Sequence, residues 1–114
     1  VTRIYKILRR DEWDAAVRAG RFEGAAIDLA DGYIHLSTAA QAQETARRHF
    51  SGQTGLVLAR FDAATLGASL RWEPSRGGDL FPHVYGSLDP ALAEAVTEID
   101  LDPDGTPRLG VLAA

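Results

Sequence analysis

The run from Leu56 to Phe61, LVLARF, is almost unbroken in apolar side chains and has the length of one strand. That is the pattern of a central strand buried on both faces. A chain of 114 residues has room for one domain around it, here taken as 1–114. Arg3 to Leu8 reads as a second strand, with Ile4 and Leu8 flanking Lys6 on one face and Tyr5 and Ile7 on the other. Lys6 is therefore expected to point with apolar neighbours.

The rest of the chain divides into short elements. Asp11 is the expected N-cap of a helix over Glu12 to Ala19 that buries Trp13, Ala16 and Val17 and stops at Gly20. Arg21 to Asp31 shows no period and is expected to be a loop closed by Asp31-Gly32. Tyr33 to Ser37, YIHLS, reads as one strand running into Thr38-x-x-Gln41, a capping-box pattern for a helix from Ala39 to Phe50 that ends near Gly52. After Phe61 come a turn or short helical piece over Asp62 to Gly67, and a strand over Leu70 to Glu73. A loop over Pro74 to Asp79 leads to a strand, FPHVYG, over Phe81 to Gly86, in which Pro82 suits an edge or a strand start. Asp89-Pro90 opens a helical turn, Val96 to Leu101 alternates as a strand, and Asp102 to Gly105 turns the chain. Two helices near the front and about six short strands predict an α+β domain of short twisted sheets.

Composition narrows the function classes. There is no cysteine, which excludes disulfide scaffolds, thiolate metal sites and cysteine nucleophiles. The net charge of −4 argues against a nucleic-acid partner, which usually selects a strong basic excess. The charge is uneven: residues 1–60 hold 9 basic and 7 acidic residues, and residues 61–114 hold 3 and 9. A small anionic ligand fits the first half better than the second. Of 12 basic residues only Lys6 is a lysine, which singles it out as a site candidate. No apolar run approaches the ~20 residues that span a bilayer, and the first residues lack a signal-peptide pattern, so the expected address is the cytoplasm.

Two strand histidines carry the candidate chemistry. His35 and Ser37 are expected on one face of YIHLS, beside a helix N-terminus at Thr38 whose free N–H groups favour an anion or ribose phosphate. His83 and Tyr85 share a face of FPHVYG and suit ribose hydroxyls or a proton to be steered. The alternatives are a solvated strand face, an ordinary cap and an aromatic strand packed on the core. Arg76-Gly77-Gly78, beside Trp72, is a flexible cationic loop able to close over a phosphate, or a plain hairpin connection. Three histidines without metal-ligand spacing predict no metal site, and no G-x-S-x-G elbow supports a hydrolytic triad.

At IYKI, EW-x3-V-x-x-G, DGYIHLST-x3-Q-x-x-TA, LVL, WE and FPHVYG the chain resembles a bacterial family of domains of unknown function, number nine-five-two, grouped by fold with ADP-ribosyltransferases. YIHLST and its helix are similar to the His-Leu-Ser strand of the NAD-using RNA 2′-phosphotransferases. The resemblance implies His35 at the second motif position of that fold, beside the nicotinamide ribose. It puts the first position at Tyr5 to Ile7, where Lys6 or Tyr5 would replace a histidine. The third falls in FPHVYG, where the usual glutamate is absent.

The implied domain is ADP-ribosyltransferase-like, with a cleft lined by Lys6, His35, Ser37, His83 and Tyr85. Its implied cofactor is NAD or an ADP-ribose-bearing nucleotide. His35 and Tyr85 would orient the ribose, and Ser37 and Thr38, with Lys6 and Arg76, would hold the rest of the nucleotide. His83 would steer the acceptor. The competing expectation is a non-catalytic ligand-binding or protein-interaction module that kept the fold.

Overall fold

Leu56–Asp62 forms a strand, β4, with neighbours on both edges and packed layers on both faces, as its apolar run requires. The computed structural model describes residues 1–114. In chain order the strands are β1 (Arg3–Arg9), β2 (Ile34–His35), β3 (Ser37–Thr38), β4, β5 (Leu70–Ser75), β6 (Asp79–Val84), β7 (Ala95–Leu101) and β8 (Pro107–Arg108). Three helices join them: α1 (Arg10–Ala19), α2 (Ala26–Asp31) and α3 (Ala39–Phe50). One antiparallel sheet has the order β3-β1-β4-β7-β8 and a smaller one the order β2-β6-β5, giving an α+β fold of curled sheets.

Strand alternation separates two cores. Ile4, Leu8, Val57, Ala59 and Phe61 face one side, where they meet Trp13 of α1 and Ile34 and Val84 of the small sheet. Tyr5, Ile7, Leu56 and Leu58 face the other, against Ala42 and Ala46 of α3. Those two alanines are fully buried, and their small side chains let α3 close on the sheet. The register pairs Lys6 with Ala59, so the lysine enters the first core next to a single methyl group.

Helix α3 has the predicted bounds, with the Thr38 amide donating to Gln41 Oε1 at 3.1 Å. The Asp89-Pro90 turn is also as expected, the Asp89 carboxylate accepting from the Ala91 amide at 2.9 Å. Other expectations are corrected. The N-cap of α1 is Arg9, whose amide donates to Glu12 Oε1 at 3.0 Å, and Asp11 lies in the first turn, paired with the Arg9 side chain. Val17 is 55% exposed, because the buried stripe of α1 is only as wide as Trp13 and Ala16. Arg21 to Asp31 is not a plain loop: Phe22 bridges Leu88 by two backbone hydrogen bonds of 2.8 Å, and α2 follows.

YIHLS is not one strand. It divides at Leu36 into β2, which pairs with β6, and β3, which pairs with β1. The small sheet also places Pro82 in its middle strand rather than at an edge. Proline is tolerated there because β2 ends at His35: the Leu36 amide donates to the Pro82 carbonyl at 3.0 Å, and the bond that Pro82 cannot return falls where β2 leaves the sheet.

Phe61 is 0% exposed and meets the Trp13 ring edge-on at 6.5 Å. Phe61→Ala is expected to cost about 3–5 kcal/mol in urea denaturation, whereas Val17→Ala should fall within about 0.5 kcal/mol of the parent.

Candidate functional site

A lysine on the core face of a strand needs a counter-charge, because an unpaired buried ammonium is strongly disfavoured. Asp28 supplies it. Lys6 Nζ lies 2.9 and 3.1 Å from the two carboxylate oxygens and donates also to the His35 carbonyl at 3.0 Å. Asp28 sits on α2 with its apolar neighbours turned outward: Ile27 and Leu29 are 58% and 66% exposed, and Asp28 is 1% exposed. Gly24 makes this approach possible, since its φ is +122° and a Cβ there would stand 2.8 Å from the Asp28 Cβ.

The Asp28 carboxylate does more than neutralise Lys6. It accepts the Ala25 amide at 2.8 Å, closing the first turn of α2, and the His35 amide at 3.0 Å. His35 Nδ1 also lies 2.6 Å from this carboxylate, while His35 Nε2 lies 2.9 Å from Asp31 Oδ2. Burial alone would raise the Asp28 carboxyl, but the His35 hydrogen bond and the Lys6 charge outweigh it and hold the group well below the usual carboxylate range. Burial pulls the Lys6 ammonium down, with Asp28 opposing.

Beside this pair, strand pairing sets His35 directly opposite His83. Their ring centroids are 5.6 Å apart at 71°, close enough for one shared site. Tyr33 stacks on His83 at 4.1 Å and 22°, and meets His35 at 4.7 Å and Tyr85 at 5.4 Å. Glu73, on β5, receives both His83 Nδ1 at 2.9 Å and the Tyr85 hydroxyl at 2.8 Å. Those two bonds, His83 first, place the Glu73 carboxyl below its ordinary value. The bond to Glu73, with burial second, raises the Tyr85 phenol. The Arg71 guanidinium covers the Tyr85 ring at 4.7 Å. An open depression of about 360 Å³ adjoins Tyr33, with Gly86 and Ser87 on its wall and Glu23 and Asp28 as its acidic groups.

Lys6, His35, His83 and Tyr85 thus belong to one network, with Lys6 sealed beneath it at 5% exposure. Ser37, Thr38 and Arg76 do not join it. The break at Leu36 turns Ser37 toward α3, where its hydroxyl lies 3.0 Å from that of Thr45 at 4% exposure. Thr38 caps α3 through its amide. Arg76 does not close over the cleft: its guanidinium donates to Thr45 Oγ1 at 3.1 Å and to the Gln41 carbonyl at 3.4 Å, and lies over Phe81. Ser37 and Arg76 instead share Thr45 of α3 as a partner.

Four further residues of the site were not anticipated from sequence: Asp28, Asp31, Tyr33 and Glu73. A buried lysine signals that some carboxylate must meet it, though not which of 16 acidic residues does. Tyr33 in DGYIHLS and Glu73 in WEP stood beside residues already singled out, but contact across strands is what recruits them. The carboxylate that meets FPHVYG is Glu73, on the neighbouring strand. No group of three or more histidine, aspartate or glutamate side chains is placed to hold a metal ion, and no helix is long and apolar enough to cross a membrane.

The family model described as "Protein of unknown function (DUF952)" matches residues 7–99, and the chain belongs to that family. The crystal structure of protein CC0527 from Caulobacter crescentus is similar at 56% identity over 95% of each chain, with a TM-score of 0.93. The solution NMR structure of the same protein gives a TM-score of 0.86 at 56% identity, over 96% of this chain and 95% of that one. No curated protein matches the chain.

Removing the Asp28 charge leaves Lys6 buried and unpaired, so Asp28→Asn should destabilise by about 3–5 kcal/mol at pH 7 in urea denaturation. The Asp28 carboxyl is lower in the folded than in the unfolded chain. Its contribution is therefore complete above the unfolded value of about 3.9 and is lost as the pH falls below that toward the folded value. Across pH 5 to 2 the parent should lose more stability than Asp28→Asn, and parallel curves would remove Asp28 from this role.

Proposed function

We propose that the cluster of Tyr33, His35, His83 and Tyr85 binds the nicotinamide-ribose end of NAD or a related ADP-ribose-bearing nucleotide, and that bound NAD is a donor of ADP-ribose. The observation that supports this most is the meeting of two histidines and two tyrosines, with His35 and His83 centroids 5.6 Å apart and each histidine held by a carboxylate. Stacked rings suit a planar base, and oriented imidazole and phenol groups suit a ribose diol. In this reading His35 and Tyr85 orient the ribose and His83 faces the acceptor.

The charge around the cluster supports the same assignment. Asp28, Asp31 and Glu73 surround the rings, against Lys6 and Arg71. Breaking the nicotinamide bond builds positive charge on the ribose, and fixed carboxylates close to that carbon favour it. The likeness to the NAD-using transferases in DGYIHLS adds the nucleotide to this argument; the proposed ADP-ribosyltransferase relationship rests on those motifs.

One observation favours a second reading, a non-catalytic module that binds a ribosyl ligand. The cations expected for a diphosphate are engaged elsewhere, Lys6 by Asp28 and Arg76 by Thr45 and Gln41. Titration calorimetry with NAD, ADP-ribose and nicotinamide mononucleotide separates the two. NAD should bind the parent and lose roughly tenfold or more in affinity with His35→Ala. No heat with the parent, or equal binding by His35→Ala, overturns the nucleotide reading; binding without release of nicotinamide selects the module.

A further inference from the structure

His83 has one ring nitrogen to spare. The residue is 3% exposed, with a ring face under Tyr33, an edge against His35 and Nδ1 on Glu73. Nε2 bonds to no protein group, yet it is not sealed in, since the one buried side-chain nitrogen or oxygen without a partner is Nε of Arg60. Turning the ring over would break the Nδ1 bond to Glu73.

Glu73 decides which nitrogen carries the proton. Its Oε1 already accepts the Tyr85 hydroxyl at 2.8 Å while meeting His83 Nδ1 at 2.9 Å. An ionised carboxylate has no proton to give, so the proton in the second bond belongs to Nδ1. A neutral ring with its proton there carries its lone pair on Nε2, the nitrogen that no protein group engages. Carboxylate–histidine pairs fix ring orientation and tautomer in this way.

We propose that His83 Nε2 is the general base of this site and Glu73 its positioning residue, for an acceptor that attacks through an O–H group, water or an alcohol. This rests on the nucleotide reading above and deepens it. The bond between ribose C1′ and the nicotinamide nitrogen breaks, its electron pair leaving on nicotinamide and neutralising the pyridinium. The acceptor oxygen bonds to C1′, and its proton passes to His83 Nε2. An O–H nucleophile holds its proton through the attack and gains from a fixed proton acceptor, whereas a neutral amine attacks with its own lone pair.

The test reads the imidazole nitrogens by long-range proton–nitrogen-15 spectroscopy at neutral pH, in the unliganded parent, Glu73→Gln and Tyr85→Phe. The parent should show Nδ1–H with an unprotonated Nε2. Glu73→Gln should shift population to Nε2–H, and Tyr85→Phe, which keeps the carboxylate, should match the parent. An Nε2–H or doubly protonated ring in the parent, or no change in Glu73→Gln, overturns the assignment. In turnover at saturating NAD, His83→Asn should slow nicotinamide release from NAD about 10²-fold or more. Parent-like turnover by His83→Asn overturns the base. A parent that binds no NAD instead removes the nucleotide reading and the base's substrate, while the spectra, recorded without nucleotide, still decide the role of Glu73.

Discussion

Lys6 can stay in the core only if a carboxylate reaches it, and the way Asp28 does so organises much of the molecule. One carboxylate takes hydrogen bonds from the lysine, from the first turn of α2, and from both the amide and the ring of His35. The lysine in turn holds the His35 carbonyl. A strand of the large sheet, a six-residue helix and a strand of the small sheet are thereby locked together through groups at 6% side-chain exposure or less on Lys6 and Asp28. A helix as short as α2 has little stability of its own, so the ion pair and the capping bond matter more to it than propensity does.

The site follows from where the chain changes sheets. At Leu36 the backbone leaves β6 for β1, which puts His35 opposite His83 and Ser37 against α3. The same departure frees the Pro82 nitrogen from any ladder partner. Two histidines that lie 48 positions apart in the chain become cross-strand neighbours, each with its own carboxylate and with Tyr33 packed across both. Rings held at several edges are pre-organised, and a ligand would meet them with little left to order.

Much of the fold was legible where local pattern dominates. The run LVLARF, the alternation around Lys6, the cap before Ala39 and the Asp89-Pro90 turn all describe residues whose neighbours in sequence fix their role. The misreadings lie where a longer-range contact overrides the pattern. Arg21 to Asp31 shows no period and reads as a loop, yet Ala26 to Asp31 winds into α2 with Asp28 drawn in to Lys6. Arg76 looks free to close on a ligand, and instead Thr45 and the Gln41 carbonyl hold it over Phe81. His35 and Ser37 alternate onto one face only while the strand continues, and it ends between them.

The sequence by itself determined that this is a small α+β domain with a central doubly buried strand, one lysine aimed into its core and two histidine-bearing strands. Those properties come from periodicity and residue type, which act over a few positions. Only the tertiary structure decided that Asp28 is the lysine's partner, that Glu73 serves His83 and Tyr85, and that Ser37 and Arg76 stand apart from the histidines. Each of these depends on which strands pair and in what register, a choice made by packing the whole core at once. Charge and hydrogen-bond partners across strands are set by that register, and no local pattern encodes it.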